Sequence, residues 1–371
     1  MKLWKKAFAL ATLAVLCLAA SGIFAGVGEA AFKSEYKMHV NVGENTAWGQ
    51  SAAMFAEKVK EYTEGKVNIK IYWSAQLISG KQASELMFIR NGTIDFSLTG
   101  TSNFASVLTP FDIFNLPFFI SNHKDKFKAY DALIFGETGK ALAELAREKG
   151  GTTIIYWTEN GFRELHYGDK RKAIAEPEDM KGLKIRYVSS PLYQDTFQAL
   201  SANPMVINWN EALQGFQQGL VDGGENTYSI IVNYKVYEFH KQMTEWSYAV
   251  PGMFFCANNK IWDGFGPEVQ AQVSKAAVEA GDWLRAVSRL GLDDGWGESY
   301  LKSVGMFPPD PAIAPADPYA FLEEKGVKIN RLTPEQLAAF QKVVEPVYEK
   351  WVPRIGAELV ETARREMAAT N

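Results

Sequence analysis

Gly182-Leu183-Lys184-Ile185-Arg186 is a β-patterned run that ends on a cation. Downstream, Trp209 opens a stretch with Ala212, Leu213, Phe216 and Leu220 on one helical face. Gly219-Leu220-Val221-Asp222-Gly223-Gly224-Glu225-Asn226 then follows as a turn-rich string. Upstream, Asn160-Gly161-Phe162-Arg163 comes after the end of another β-patterned run, Thr152 to Trp157. Strands separated by helices build a mostly parallel sheet, and open α/β sheets take ligands at strand carboxyl ends. This reading puts Arg186 and Arg163 at such ends, where a guanidinium offers a planar fork for a carboxylate or another oxyanion. The plain structural alternative is that each arginine caps a helix or pairs with a nearby acid. Trp209 is either a pocket wall or a core staple, and Asn226 either lends its amide to a ligand or satisfies a turn.

The same alternation extends outward. Met38 and Val40 alternate in a first strand, and Trp48, Ala52, Phe55, Val59 and Tyr62 keep helical phase up to Gly65. Val67, Ile69 and Ile71 alternate again, as do Phe96 and Leu98 after the Asn91-Gly92 turn. From Pro267 to Val304 one helical pattern persists for nearly forty residues, which at 1.5 Å per residue predicts a helix of roughly 55 Å, able to serve two domains. Gly291, Gly295 and Gly297 lie along it as points of bending. A proline-rich stretch from Pro308 to Pro318 reads as irregular surface. Thr333-Pro334-Glu335-Gln336 is a capping box that opens a final amphipathic helix through Leu337, Phe340, Val344, Val347 and Trp351.

Composition narrows the class. The 371 residues are 47% hydrophobic and 22% charged, which suits a globular protein of two domains. Ten Trp and fifteen Tyr exclude a disordered chain, and a net charge of −4 gives no reason to expect nucleic-acid binding. Lys2, Lys5 and Lys6 precede an uncharged apolar run to about Gly26, and Gly28 and Ala30 have the spacing a signal peptidase reads. Residues 1–30 are therefore read as a cleaved signal peptide that directs the protein to the periplasm; the alternative is an uncleaved anchor. Cleavage removes three lysines and one glutamate and takes the net charge to −6. It also leaves Cys256 alone in an apolar run, expected as a buried small hydrophobe.

Much catalytic chemistry is missing. There is no Gly-x-Ser-x-Gly elbow, no Gly-x-Gly-x-x-Gly after a strand, and no Ser or Thr behind Gly65-Lys66, Gly80-Lys81 or Gly139-Lys140. His39, His123, His166 and His240 are scattered and read as structural, so no metal and no cofactor is expected.

The ordered series of motifs resembles the substrate-binding proteins of tripartite ATP-independent periplasmic (TRAP) transporters, the DctP family. It runs through Asn160–Arg163, Asp179–Arg186, Asp195–Leu200, Ala202-Asn203-Pro204, Glu211–Gly219, Val221–Asn226 and Lys235–Glu238. Upstream, Ser74–Leu77, Asn91–Asp95 and Leu116-Pro117-Phe118 also fit, so the likeness covers essentially the whole mature chain. It implies an α/β fold of two lobes that close like a Venus flytrap, with mostly parallel central sheets and a long helix spanning both. The implied lobes are residues 31–161 plus about 248–285, and 162–247 plus about 286–371. It further implies a monomer that hands a small organic anion to the small and large membrane permease subunits.

In that family the arginine at the position of Arg186 holds the ligand's carboxylate, with Arg163 on a second arginine that assists and Asn226 on an asparagine that bonds the acid group. Trp209 falls on an aromatic cleft position, and Asn41, Thr101 and Gln76 fall on contact positions of the amino-terminal lobe. The sequence departs from the family pattern at Thr227, where relatives have proline, at Ile78-Ser79-Gly80, and in the 308–318 stretch. Tyr187, Trp209 and Tyr228 add bulk, so a small ligand in a narrow aromatic-walled pocket is expected rather than a bulky sugar acid. A carboxylate is favoured and a sulfonate is possible. Two other classes remain open: an exported lyase or isomerase acting on acids, with Glu225 or His166 as general base, and a sensor subunit that presents its closed form to a membrane kinase.

Overall fold

The computed structural model describes residues 32–188 and 190–370. The segment read as a signal, residues 1–30, lies outside the described residues, and no helix within them is long and apolar enough to cross a membrane. From Lys33 onward the chain forms one compact unit built around two sheets.

The first sheet holds β1 (Tyr36–Val40), β2 (Ile69–Tyr72), β3 (Phe96–Gly100), β4 (Thr152–Thr158) and β10 (Met253–Asn258), in the order β2-β1-β3-β10-β4. The second holds β5 (Arg163–Tyr167), β6 (Lys184–Tyr187), β7 (Asn203–Val206), β8 (Gly223–Thr227), β9 (Gln242–Ala249) and β11 (Lys328–Arg331), in the order β11-β9-β5-β8-β6-β7. Each sheet is parallel except for one strand. β10 runs antiparallel to β3 and β4, and β5 runs antiparallel to β8 and β9. These are the first strands the chain forms after passing from one sheet to the other, at 159–162 and again at 250–252. The mostly parallel expectation therefore holds, with one reversed strand at each of these two crossings; β11, reached after the chain returns to the second sheet, pairs with β9 in parallel.

The short runs behave as patterned. Met38 and Val40 are fully buried, and the helix Ala47–Tyr62 buries Ala52, Phe55 and Val59 and is capped by Thr46, which accepts from Gly49 N. Gly92 takes φ +82°, the left-handed conformation the turn before β3 needs. Cys256 is buried in β10 as expected, and burial pushes its thiol up.

Two long helices are corrected. The stretch read as one helix from Pro267 to Val304 is two, Pro267–Arg289 and Trp296–Ser303. Gly291 and Gly295 adopt φ +72° and +94°, so the chain turns back instead of bending. The second helix packs on the first so closely that a Cβ on Gly297 would lie 2.6 Å from the Ala286 carbonyl. The in-phase apolar residues are thus shared by two packed helices, and the first spans roughly 35 Å.

The carboxy-terminal helix starts at the Thr333 capping box as read, but it ends at Val343, and a new helix runs Glu345–Ile355. Pro346 supplies no N–H to continue the first, which restricts it to the opening turn of the second. A third helix, Ala357–Ala368, follows Gly356.

Candidate functional site

β6 and β8 run parallel, and β5 runs against β8 with Arg163 opposite Thr227. The start of β5 therefore meets the carboxyl ends of β6 and β8. This brings Arg163, Arg186 and Asn226 together from three strands. The helix Trp209–Gln218 adds its first residue, Trp209, to the same place. All four line a cavity of about 70 Å³, together with Asn41, Gln82, Ser102, Asn103 and Met253 from segments around the first sheet.

The two arginines are not equivalent. Arg163 is already occupied: its Nε and Nη2 grip the Glu225 carboxylate (Nη2 to Oε1 2.8 Å), and Nη2 also reaches the Glu225 carbonyl at 2.8 Å. Arg186 has no carboxylate partner among the described residues. It is 2% exposed, its Nε donates to the Ile207 carbonyl at 2.9 Å, and its guanidinium lies 5.3 Å from the centre of the Trp209 ring. Burial, and then the charge of Arg163, lower its pKa to about 9. A buried guanidinium without a counter-charge is costly unless an anion completes it.

Asn226 points the same way. Its Oδ1 accepts from Arg163 Nη2 at 3.4 Å, while its Nδ2 is buried without a partner. Two donors thus face the cavity, and aromatic or aliphatic side chains close around them: Trp48, Val188, Trp209, Ile230 and Pro251.

Asn41 lines the opposite wall, its Nδ2 held by Glu85 at 2.7 Å. Thr101 and Gln76 do not reach the cavity. Thr101 is buried behind it, its N–H bonded to the Gly252 carbonyl at 2.7 Å, while its neighbours Gly100 and Ser102 line the wall. Gln76 is exposed in the short turn Gln76–Ile78, and Gln82 lines the wall instead, accepting from the Trp209 N–H at 3.2 Å. Tyr187 and Tyr228, expected to crowd the cleft, also lie off it, so the aromatic wall is Trp48 and Trp209.

The residues a lyase or isomerase centre would use as general base are withdrawn. Glu225 is fully buried against Arg163, and neither it nor His166 lines the cavity. His166 Nδ1, on β5, sits 2.7 Å from His240 Nδ1, two residues before β9 begins, a contact that spacing alone does not suggest. Burial drives the pKa of both down, His240 to about 4, so both are neutral near pH 7. No cluster of His, Cys, Asp or Glu among the described residues has the arrangement of a metal site.

Residues 38–289 match the DctP family, described as bacterial extracellular solute-binding protein, family 7. The chain belongs to that family. It is 28% identical over 331 residues, 88% of this chain and 89% of the relative, to the C4-dicarboxylate-binding periplasmic protein DctP of Rhodobacter capsulatus. Among solved structures it is similar to a TRAP periplasmic solute-binding protein from Ralstonia eutropha with bound (S)-2-acetolactate. The identity there is 37% and the TM-score 0.81, covering 91% of this chain and 100% of the other. A TRAP protein from Sulfurospirillum deleyianum with bound succinate is 29% identical with a TM-score of 0.72, covering 89% and 98%. This DctP-family chain is thus a solute-binding protein and not an enzyme, and its two sheets are those of the two-lobed TRAP receptors.

Proposed function

We propose that this protein is an exported receptor that closes on a small organic acid, grips its carboxylate with Arg186 and Asn226, and delivers it to the TRAP permease subunits in the membrane. The observation that carries the reading is Arg186: a buried cation, stacked over Trp209, bonded through Nε to a backbone carbonyl and with no acid beside it among the described residues. The donors of Arg186 and Asn226 suit the two oxygens of a carboxylate; a sulfonate would bring a third oxygen needing its own donor. The relatives crystallised with acetolactate and succinate are in keeping with a carboxylate.

The lobes are residues 31–161 plus about 248–285 and 162–247 plus about 286–371, hinged at the crossings 159–162 and 250–252. In this reading three hydrogen bonds between the two sets hold the closed form. Asp112 accepts from Ser190 Oγ at 2.7 Å, Tyr193 donates to Asn115 at 2.7 Å, and the Trp209 N–H reaches Gln82. Ligand contacts from both sides favour this form by shifting the population toward it.

A thermal-shift screen of residues 31–371, refolded to strip ligand, against small carboxylates and sulfonates tests the reading. A ligand at 100 times its dissociation constant adds about 2.7 kcal/mol. A carboxylate that raises the melting temperature supports the proposal; a folded protein that responds to neither panel refutes it.

A further inference from the structure

Glu85 opens the short helix Glu85–Arg90 and is fully buried beneath the wall that the first sheet's segments give the cavity. Its carboxylate accepts from Asn41 Nδ2 at 2.7 Å, Thr99 Oγ1 at 2.8 Å, Asn103 Nδ2 at 2.9 Å and Ser97 Oγ at 2.6 Å. No lysine or arginine pairs with it among the described residues. The titratable group at ion-pair distance is His39, whose Nε2 lies 3.8 Å from a Glu85 oxygen and 3.3 Å from Asn41 Oδ1. His39 Nδ1 is buried without a partner. A hydrogen on that atom would be stranded, so Nε2 is the ring's donor, toward Asn41 Oδ1, while the four neutral side-chain donors above hold the Glu85 carboxylate.

Two consequences reach the ligand. The first is charge. Arg163 is neutralised by Glu225, so Arg186 is the one lining guanidinium left for an acid group, and it stands on the second sheet. A second carboxylate on the ligand would meet the wall in front of Glu85 with no cation to receive it. The second consequence is polarity. Glu85 and Thr99 Oγ1 take both amide hydrogens of Asn103, which leaves its carbonyl oxygen as the capacity that residue has for a ligand, and Glu85 takes one of the two on Asn41. Asn160 gives its Nδ2 to Thr227 Oγ1 and keeps a buried Oδ1 without a partner. Acceptors suit a hydroxyl, which brings a proton, and oppose a carboxylate, which brings none.

We propose that Glu85 makes this cavity selective for monoanionic hydroxy acids over dicarboxylates of the same size. The proposal rests on the acid-binding reading of the cavity. Malate and its 4-amide test it, because they share shape and hydroxyl and differ by one charge; 2-hydroxy-2-methylpropanoate serves as a small monoanion. Calorimetric titration of the wild-type protein should show the amide binding at least a hundredfold more tightly than malate. Glu85→Gln should narrow that ratio at least tenfold, chiefly by improving malate.

Malate binding as tightly as the amide in the wild type overturns the proposal while leaving the acid receptor intact. So does a ratio unchanged in a folded Glu85→Gln. No binding of any of the three, with the protein folded, overturns this proposal; the receptor reading falls with it only when the wider carboxylate and sulfonate panels also give no response. The wild-type comparison decides even where Glu85→Gln does not fold.

Discussion

Removing the charge of Arg186 should move binding and ligand-free stability in opposite directions. The side chain is 2% exposed and holds one protein hydrogen bond, from Nε to the Ile207 carbonyl. Each charge-assisted bond to a ligand carboxylate is worth about 1.5–3 kcal/mol, so losing a two-pronged grip costs about 3–6 kcal/mol, or roughly 10²- to 10⁴-fold in Kd. Arg186→Lys keeps a charge but lacks the fork, and should lose about 10- to 100-fold.

Without ligand the balance reverses. The folded pKa of about 9 lies well below the ordinary guanidinium range, so the charged form is disfavoured in the fold. That cost is fully present below pH 9 and is relieved as pH rises from there toward the ordinary range. At 1.36 kcal/mol per unit it amounts to no more than about 5 kcal/mol at pH 7. Arg186→Met removes it and forfeits the Ile207 bond, about 1 kcal/mol. The ligand-free variant should therefore melt several degrees above wild type while titration calorimetry finds acid binding lost. A variant that melts lower and still binds would refute the reasoning and make Arg186 a structural residue.

Other substitutions separate the neighbours of Arg186. Arg163→Ala leaves the Glu225 carboxylate buried and unpaired, so it should destabilise by about 3–5 kcal/mol in denaturant titrations, where Arg186→Met does not. Trp209→Ala should weaken acid binding about tenfold through the lost ring under the guanidinium, and Trp209→Phe much less, as measured by calorimetry. Asp112 is buried with its pKa raised to about 6 by desolvation. Its charged form is disfavoured in the fold, so its contribution to stability falls as pH rises from about 4 to 6. Asp112→Asn should remove up to about 3 kcal/mol of that slope, visible as a flatter dependence of melting temperature on pH.

What the sequence disclosed was local. Arg186 at a strand end, Trp209 at a helix start and Thr333 in a capping box each depend on a handful of neighbouring residues, and each is found there. What it concealed depends on which strands pair. Arg163 looks as available as Arg186 until β5 lies against β8 and sets Glu225 beside it. Glu85 carries no signal in the sequence, and only the pairing of β1 with β3 brings Asn41, Ser97 and Thr99 around it. Gln76 and Gln82 are both plausible contacts in one segment, and only the turn between them decides which faces Trp209. The apolar phase from Pro267 to Val304 reads as one helix because two helices packed on each other can keep one phase, and Gly291 and Gly295 mark the reversal.

The most direct test of the central claim is a crystal structure of the wild-type protein grown with the tightest-binding acid from the screen. The carboxylate should lie within hydrogen-bond distance of the Arg186 guanidinium and Asn226 Nδ2, with any hydroxyl turned toward Asn103 and Asn160. A carboxylate seated against the Asn41–Asn103 wall, or an acid bound outside this cavity with Arg186 untouched, would contradict the account.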